Sequence, residues 1–334
     1  MIGHRGASGH RPEHTVEAYR LAFELGADAV EPDVVLSRDG VAVVRHENEI
    51  SGTTDVASRP EFDGRRTTKS VDGETLTGWF TEDFTWAELS TLRARERIPA
   101  VRPASARYDG RFGILRLVDV LQLVDEAGPT SAGLPRAVVE LKHASYFDSL
   151  GLPLAEIVAG ELREAGWSTR PDQLVVESFE KSALAALRET GVEAEWIYLL
   201  EAEGAPYDEV VRSGPAARSY ASFLTDEGLA ALSDEVDGVS LDKAIILPRD
   251  AAGDAHRVSD VVDRAHAAGL TVFTWTLRAE NPFLPKNLRI GRDRSAFGRW
   301  EDEFRLILGS EVDGVFADQP ELALAALRGV GGAA

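Results

Sequence analysis

Short runs of β-branched and apolar residues alternate along this chain with longer stretches whose apolar positions recur at helical spacing. Side chains on a strand change face with period two and those on a helix with period 3.6, so each switch of period marks an element boundary. The strand-like runs are Met1–Gly3, Ala29–Leu36, Ala137–Leu141, Leu174–Glu177, Trp196–Leu200, Val236–Leu241, Leu270–Thr276 and Gly314–Ala317. Between them the spacing predicts helices over His14–Gly26, Leu117–Ala127, Leu154–Ala165, Lys181–Thr190, Ser259–Ala268 and Glu321–Leu327, with a less regular one near Asp226–Leu232. In the first helix Val16, Ala18, Tyr19, Ala22, Phe23 and Leu25 form one apolar face, Thr15 stands where a cap belongs and Gly26 where the helix should stop. Eight strand–helix units predict an α/β fold, a (β/α)8 TIM barrel, which carries its chemistry at the C-terminal ends of its strands.

Two segments break the rhythm. Val41–His46 alternates like a strand and folds back on the second strand through the turn Arg38-Asp39-Gly40. Residues 47–113, rich in Thr, Asp, Gly and Arg, are too many for a plain connection. They predict a polar insertion after strand two, laid over the C-terminal face of a single barrel domain spanning residues 1–334. Within it Trp79, Phe80, Phe84 and Trp86 predict a small core of its own in preference to a lipid-facing patch. A second irregular stretch covers residues 281–299.

The net charge of −20 repels the nucleic-acid backbone and anionic lipid, so an anionic substrate must meet local cations or a metal. With no cysteine in the chain, disulfides, thiolate metal sites and cysteine nucleophiles are excluded, and any metal is held by oxygen or imidazole. No apolar run reaches the length of about 18 residues that a transmembrane helix needs. A candidate strand and a candidate functional histidine at the very start predict a leader or tail outside this sequence, which leaves the compartment open.

Candidate chemistry sits at the strand ends. Gly3-His4-Arg5-Gly6 joins a strand to a glycine-rich loop and offers a proton carrier beside a planar guanidinium suited to phosphate. In Glu31-Pro32-Asp33 two carboxylates two residues apart point the same way among apolar neighbours, and buried like charges call for a hard cation between them. Glu140-Leu141-Lys142 repeats the spacing with an acid and a base. His46, ending the return strand, would stand beside Glu31 and Asp33 and give a second histidine for acid/base work. Glu177 and Trp275, at later strand ends, are candidates for the substrate pocket, Glu177 beside the metal and Trp275 as an apolar wall. The other histidines, His10, His14, His143, His256 and His266, are expected in structural places, and Asp313 and Asp318 as caps around a last helix begun by Pro320.

In order and spacing these pieces resemble the glycerophosphodiester phosphodiesterase family over nearly the whole chain. The matching segments are Gly-His-Arg-Gly-Ala at 3–7, Pro-Glu-His-Thr at 12–15, Glu-Pro-Asp at 31–33, Arg-His-Glu at 45–47 and Thr-Thr-Asp at 53–55. Further on come Val-Glu-Leu-Lys at 139–142, Glu-Ser-Phe-Glu at 177–180, Thr-Trp-Thr-Leu at 274–277 and Asp-Gly-Val-Phe-Ala-Asp at 313–318. The resemblance implies a TIM barrel in which Glu31, Asp33 and Glu140 hold one divalent cation, Ca²⁺ or Mg²⁺. It implies His4 and His46 as the general acid/base pair, and Arg5 and Lys142 as phosphate ligands. The implied reaction turns a small glycerophosphodiester into sn-glycerol 3-phosphate and an alcohol, the glycerol 2-hydroxyl attacking first. The chain departs from the family pattern at His14, where Asn is commoner, and at Glu47, where Asp is. The stretch after Trp275 looks more like the larger, often secreted or periplasmic members, with a cytoplasmic home as the other option. A lysophospholipase D-like or glycerophosphate-polymer hydrolase, or a catalytically silent barrel, are the alternatives. The intact set of seven core residues argues against the last. Nothing in the sequence fixes the oligomeric state.

Overall fold

The computed structural model describes residues 1–331. Its strands are β1 (Ile2–His4), β2 (Ala29–Glu31), β3 (Asp33–Leu36), β4 (Ala42–Val44), β5 (Thr67–Val71), β6 (Glu74–Gly78), β7 (Leu115–Arg116), β8 (Arg136–Leu141), β9 (Leu174–Ser178), β10 (Glu195–Leu200), β11 (Gly238–Asp242), β12 (Thr271–Leu277) and β13 (Gly314–Ala317). β1 pairs in parallel with β2 on one side and β13 on the other, and both β2 and β3 pair with β8, so the sheet closes on itself as an eight-position parallel barrel. β2 and β3 are one barrel strand interrupted at Pro32, which has no N–H to give to a ladder. The Pro32 carbonyl still accepts from Glu140 N at 3.0 Å, so the register survives the break. β4 and β7 extend the sheet antiparallel from β3, β4 being the expected return strand.

The helices stand where apolar spacing places them: Val16–Glu24 and Leu154–Glu164 end within two residues of expectation, Asp226–Leu232 matches it, and the last, Pro320–Gly331, runs four residues further than expected. Thr15 does cap the first, accepting from Ala18 N, and Gly26 follows its end at φ +98°. The predicted strand Val236–Leu241 shifts to Gly238–Asp242. The sequence reading did not include the helix Trp300–Leu308. Its apolar stripe is interrupted by Glu303, which is buried and accepts from Lys243 Nζ at 2.8 Å.

The barrel interior is built in layers two residues apart. Ile2, Ala29, Val138, Val175, Ile197, Phe273 and Phe316 form one buried apolar cluster. Gly238 belongs to the same level, and a Cβ there would lie 2.8 Å from Ile197 Cδ1 and 2.1 Å from Thr271 Oγ1. Two residues further along the same strands come His4, Glu31, Glu140, Glu177, Leu199, Trp275 and Asp318. The period of the strand therefore puts an apolar plug directly beneath a ring of polar groups.

Residues 47–113 form short 3-10 turns, the hairpin β5–β6 and a single-turn helix, Trp86–Leu89, closed by a Thr85–Glu88 capping box. Trp79, Phe80 and Phe84 are buried, and together with Ile50, Val56, Phe62, Leu89 and Leu92 they join the barrel's main core. The expected separate core is thus continuous with that of the barrel. Among the described residues no helix is long and apolar enough to cross a membrane.

Candidate active site

A cavity of about 880 Å³ opens at the C-terminal ends of the strands. His4, Arg5, Glu31, His46, Glu140, Lys142, Glu177 and Trp275 all line it. Strand pairing explains why they meet: His4 lies opposite Glu31, Asp33 opposite Glu140, and Glu140 opposite Glu177. Asp33 is fully buried just behind this wall.

Glu31, Glu140 and Glu177 each offer a carboxylate oxygen, and the three oxygens lie within 4.8 Å of one another. Glu177, expected beside the metal, thus converges with Glu31 and Glu140. Asp33 turns one oxygen away: its Oδ2 accepts from His14 Nε2 at 2.8 Å and lies 3.3 Å from Arg5 Nε. Its Oδ1 has no hydrogen-bond partner and sits 3.8 Å from Lys142 Nζ. Burial, and then Asp33, push Glu31 well above the usual carboxylate range, and burial with Glu140 does the same to Glu177. Glu140 is pushed up to about 8, by burial first, against the pull of Lys142. At Asp33 burial is outweighed by the surrounding positive groups and the His14 hydrogen bond, and its carboxyl is held well below that range. Crowded buried carboxylates, with the buried oxygens Asp33 Oδ1 and Glu177 Oε2 lacking any partner, fit a hard divalent cation.

The cations stand on the other side of these acids. Arg5 is buried, with its backbone at φ +57° and its N–H donating to Glu31 Oε2 at 2.8 Å. Its side chain also reaches Glu13 at 3.4 Å. Lys142 Nζ donates to Glu140 Oε1 at 2.8 Å. Burial would lower Lys142, but Glu140 and Asp33 raise it to about 12, so it stays an ammonium.

The two histidines are held alike. His4 Nδ1 lies 2.5 Å from Asp318 Oδ1, whose carboxylate also accepts from Arg102 Nη2 at 2.5 Å and Arg278 Nε at 2.7 Å. His46 Nδ1 lies 2.5 Å from Glu47 Oε1, and Glu47 is gripped by Arg97 at 2.7 Å. Burial and then Arg5 lower His4 to about 4, and burial, Arg5 and Lys142 lower His46 to about 3. Each ring is therefore neutral near pH 7. With Nδ1 donating to its carboxylate, each keeps an Nε2 lone pair, which on His46 faces Lys142 Nζ at 3.2 Å.

Sequence reasoning missed Arg97 and Arg102, which come from the irregular segment where no periodicity singles out a residue. It placed Asp318 as a helix cap, but Asp318 is buried and holds His4. Asp313 instead accepts from Val272 N and contacts His266. His14 bridges Asp33 and Tyr19, His10 contacts Glu321, His143 contacts Asp72 at the cavity rim, and His256 lies near Asp250.

A barrel whose mouth gathers buried carboxylates, fixed cations and two neutral histidines has the parts of a metal-assisted phosphoester hydrolase. The chain belongs to the glycerophosphoryl diester phosphodiesterase family, whose model matches residues 4–322, and so to the phosphoric diester hydrolases. It is 29% identical over 332 residues to a glycerophosphodiester phosphodiesterase of Arabidopsis thaliana, covering 95% of this chain and 82% of that one. It is 26% identical over 199 residues to a glycerophosphodiester phosphodiesterase of Haemophilus influenzae, covering 56% of this chain and 51% of the relative. In fold it is similar to an Oleispira antarctica phosphodiesterase solved with the product sn-glycerol-3-phosphate, with a TM-score of 0.61, 21% identity and coverage of 98% and 96% of the two chains. It is similar too to a glycerophosphodiester phosphodiesterase from Agrobacterium tumefaciens, with a TM-score of 0.55, 19% identity and coverage of 97% and 98%.

Proposed function

We propose that this protein hydrolyses small glycerophosphodiesters to sn-glycerol 3-phosphate and an alcohol, with a divalent cation held by Glu31, Asp33 and Glu140. Glu177 converges on the same point and joins that set. The observation that carries the reading is the meeting, in one cavity, of crowded buried carboxylates, two fixed cations and two neutral histidines. Arg5 and Lys142 bind the phosphate's free oxygens. His4 and His46 divide the proton work: one, neutral, accepts at Nε2 the proton of the attacking hydroxyl, the substrate's own 2-hydroxyl or water, and the other, once it has taken a proton from solvent at Nε2, gives that proton to the departing alkoxide. Ca²⁺ or Mg²⁺ would supply charge neutralisation at the phosphoryl oxygens. A lysolipid substrate lacks support from Trp79, Phe80 and Phe84, which are buried in the core.

The test is release of sn-glycerol 3-phosphate from glycerophosphocholine by purified protein, with EDTA and then with Ca²⁺ or Mg²⁺ restored. Release that EDTA stops, either ion restores and His46→Ala abolishes is the expected outcome. No release by folded protein under any metal would sink the reading.

A further inference from the structure

The cavity is far larger than the phosphate centre, and its walls differ in charge. Around the two histidines each named carboxylate is matched: Glu13 and Glu47 by Arg97, Asp318 by Arg102 and Arg278. The wall formed by the ends of β9 and β10 and the tip of the β5–β6 hairpin is different. Glu180, Glu201, Glu203 and Glu74 line the cavity there, and none of them makes an ion pair among the described residues. Asp72 at the hairpin tip contacts only a histidine, His143, at 2.6 Å. Glu180 spends its oxygens on Ser145, which carries no charge.

The same wall carries a row of aromatic rings. Trp275 meets Phe179 edge to face at 5.6 Å between centroids, and Phe179 meets Tyr220 at 6.3 Å. The row starts at the phosphate centre, because Lys142 Nζ lies 5.5 Å from the centre of the Phe179 ring. Period two again fixes the placement: Phe179 and Glu201 stand one layer above Glu177 and Leu199. Glu180 is pushed up to about 7 by burial, against its Ser145 hydrogen bonds and with Asp72 adding to the rise. Glu201 is raised by burial first and then by Asp242, against the pull of Lys142.

Aromatic faces and unpaired carboxylates both favour a positive charge and disfavour a negative one. We propose that this wall selects diesters whose leaving alcohol carries a cationic amine, an ammonium or a quaternary ammonium, over diesters of neutral polyols. The proposal rests on the diesterase reading above and adds the class of its leaving group.

The experiment compares kcat/KM for glycerophosphocholine and glycerophosphoethanolamine with that for glycerophosphoglycerol and glycerophosphoinositol, at low ionic strength. A preference for the cationic pair of about tenfold or more is expected, the scale of one cation–aromatic contact joined to one partly screened charge. In the double variant Glu201→Gln/Glu203→Gln the cationic-to-neutral ratio should fall about fivefold. Both side chains are partly or fully exposed and hold no hydrogen bond that folding needs. Equal turnover of all four diesters by the wild type overturns the proposal and leaves the diesterase reading standing. A wild-type preference that survives unchanged in the variant overturns the assignment to this wall. Turnover of none overturns the diesterase reading itself.

Discussion

The barrel strands and the segment 47–113 contribute to one site in different ways. The strands deliver Glu31, Asp33, Glu140 and Glu177 by register, from adjacent strands of a closed sheet, and Lys142 directly follows β8. The segment delivers no group to the carboxylate cluster. It sends in two guanidiniums five positions apart, Arg97 to Glu47 and Arg102 to Asp318, and each of these carboxylates holds one histidine. The strands thus set where the reacting groups are, and the segment helps to fix which way the proton carriers face. Regular structure is good at the first task, because its spacing is built in. The second draws on long side chains from irregular segments, with Arg278 at the end of β12 assisting at Asp318.

Removing a strand-end acid should give the largest effect. Glu140→Gln takes away a cation ligand and the partner of Lys142, and kcat/KM at saturating metal should fall by about 10³ or more. Glu177→Gln is the sharper variant, since its loss should appear first as metal affinity weakened by about 10–100-fold, read by the metal dependence of thermal stability. Arg102→Met should cost about 3–5 kcal/mol in urea unfolding, because it strips a buried guanidinium from Asp318 and Glu280. Arg97→Ala should be milder, near tenfold in rate with a smaller loss in urea unfolding, because Arg97 and Glu47 are each about 30% exposed and buried Glu13 keeps Arg5 as a partner. If Arg97→Ala and Arg102→Met leave kcat/KM unchanged in folded protein, the segment's part in aiming the histidines fails.

The smallest effect is a pH slope. His4 is near 4 in the fold, against about 6.5 for a free histidine. The fold favours the neutral ring, so between these values the unfolded chain binds more protons than the native one. The contribution is complete above pH 6.5 and is lost as pH falls through 6.5 towards 4. Thermal unfolding in EDTA should therefore lose stability over that window more steeply in the wild type than in His4→Gln.

The barrel and most of its strand-end chemistry were legible because both follow from period. Alternation marked the strands, and acids two apart, Glu31 with Asp33, marked a shared face. What alternation could not show is how that pair divides its work: one oxygen of Asp33 is drawn aside by His14 and Arg5 and the other left without a hydrogen-bond partner, while Glu177, from a separate strand, closes on Glu31 and Glu140. That depends on side-chain rotation and on partners distant in sequence. His14 and Glu47, the two departures from the family pattern, sit in this supporting layer, and each makes a short contact to the residue it serves. Arg102 was invisible for a simpler reason. It lies in an irregular stretch, 216 positions from Asp318, with nothing local to mark it as buried.

His4 and Asp318 touch although 314 positions separate them, one at the end of the first barrel strand and the other just past the last. The aim of His4 therefore depends on closure of the barrel. During synthesis a nascent polypeptide can hold every strand but the last and still lack the carboxylate that aims His4. Opening the seam between β1 and β13 would part His4 from Asp318, so turnover would serve as an assay of whether the barrel has shut.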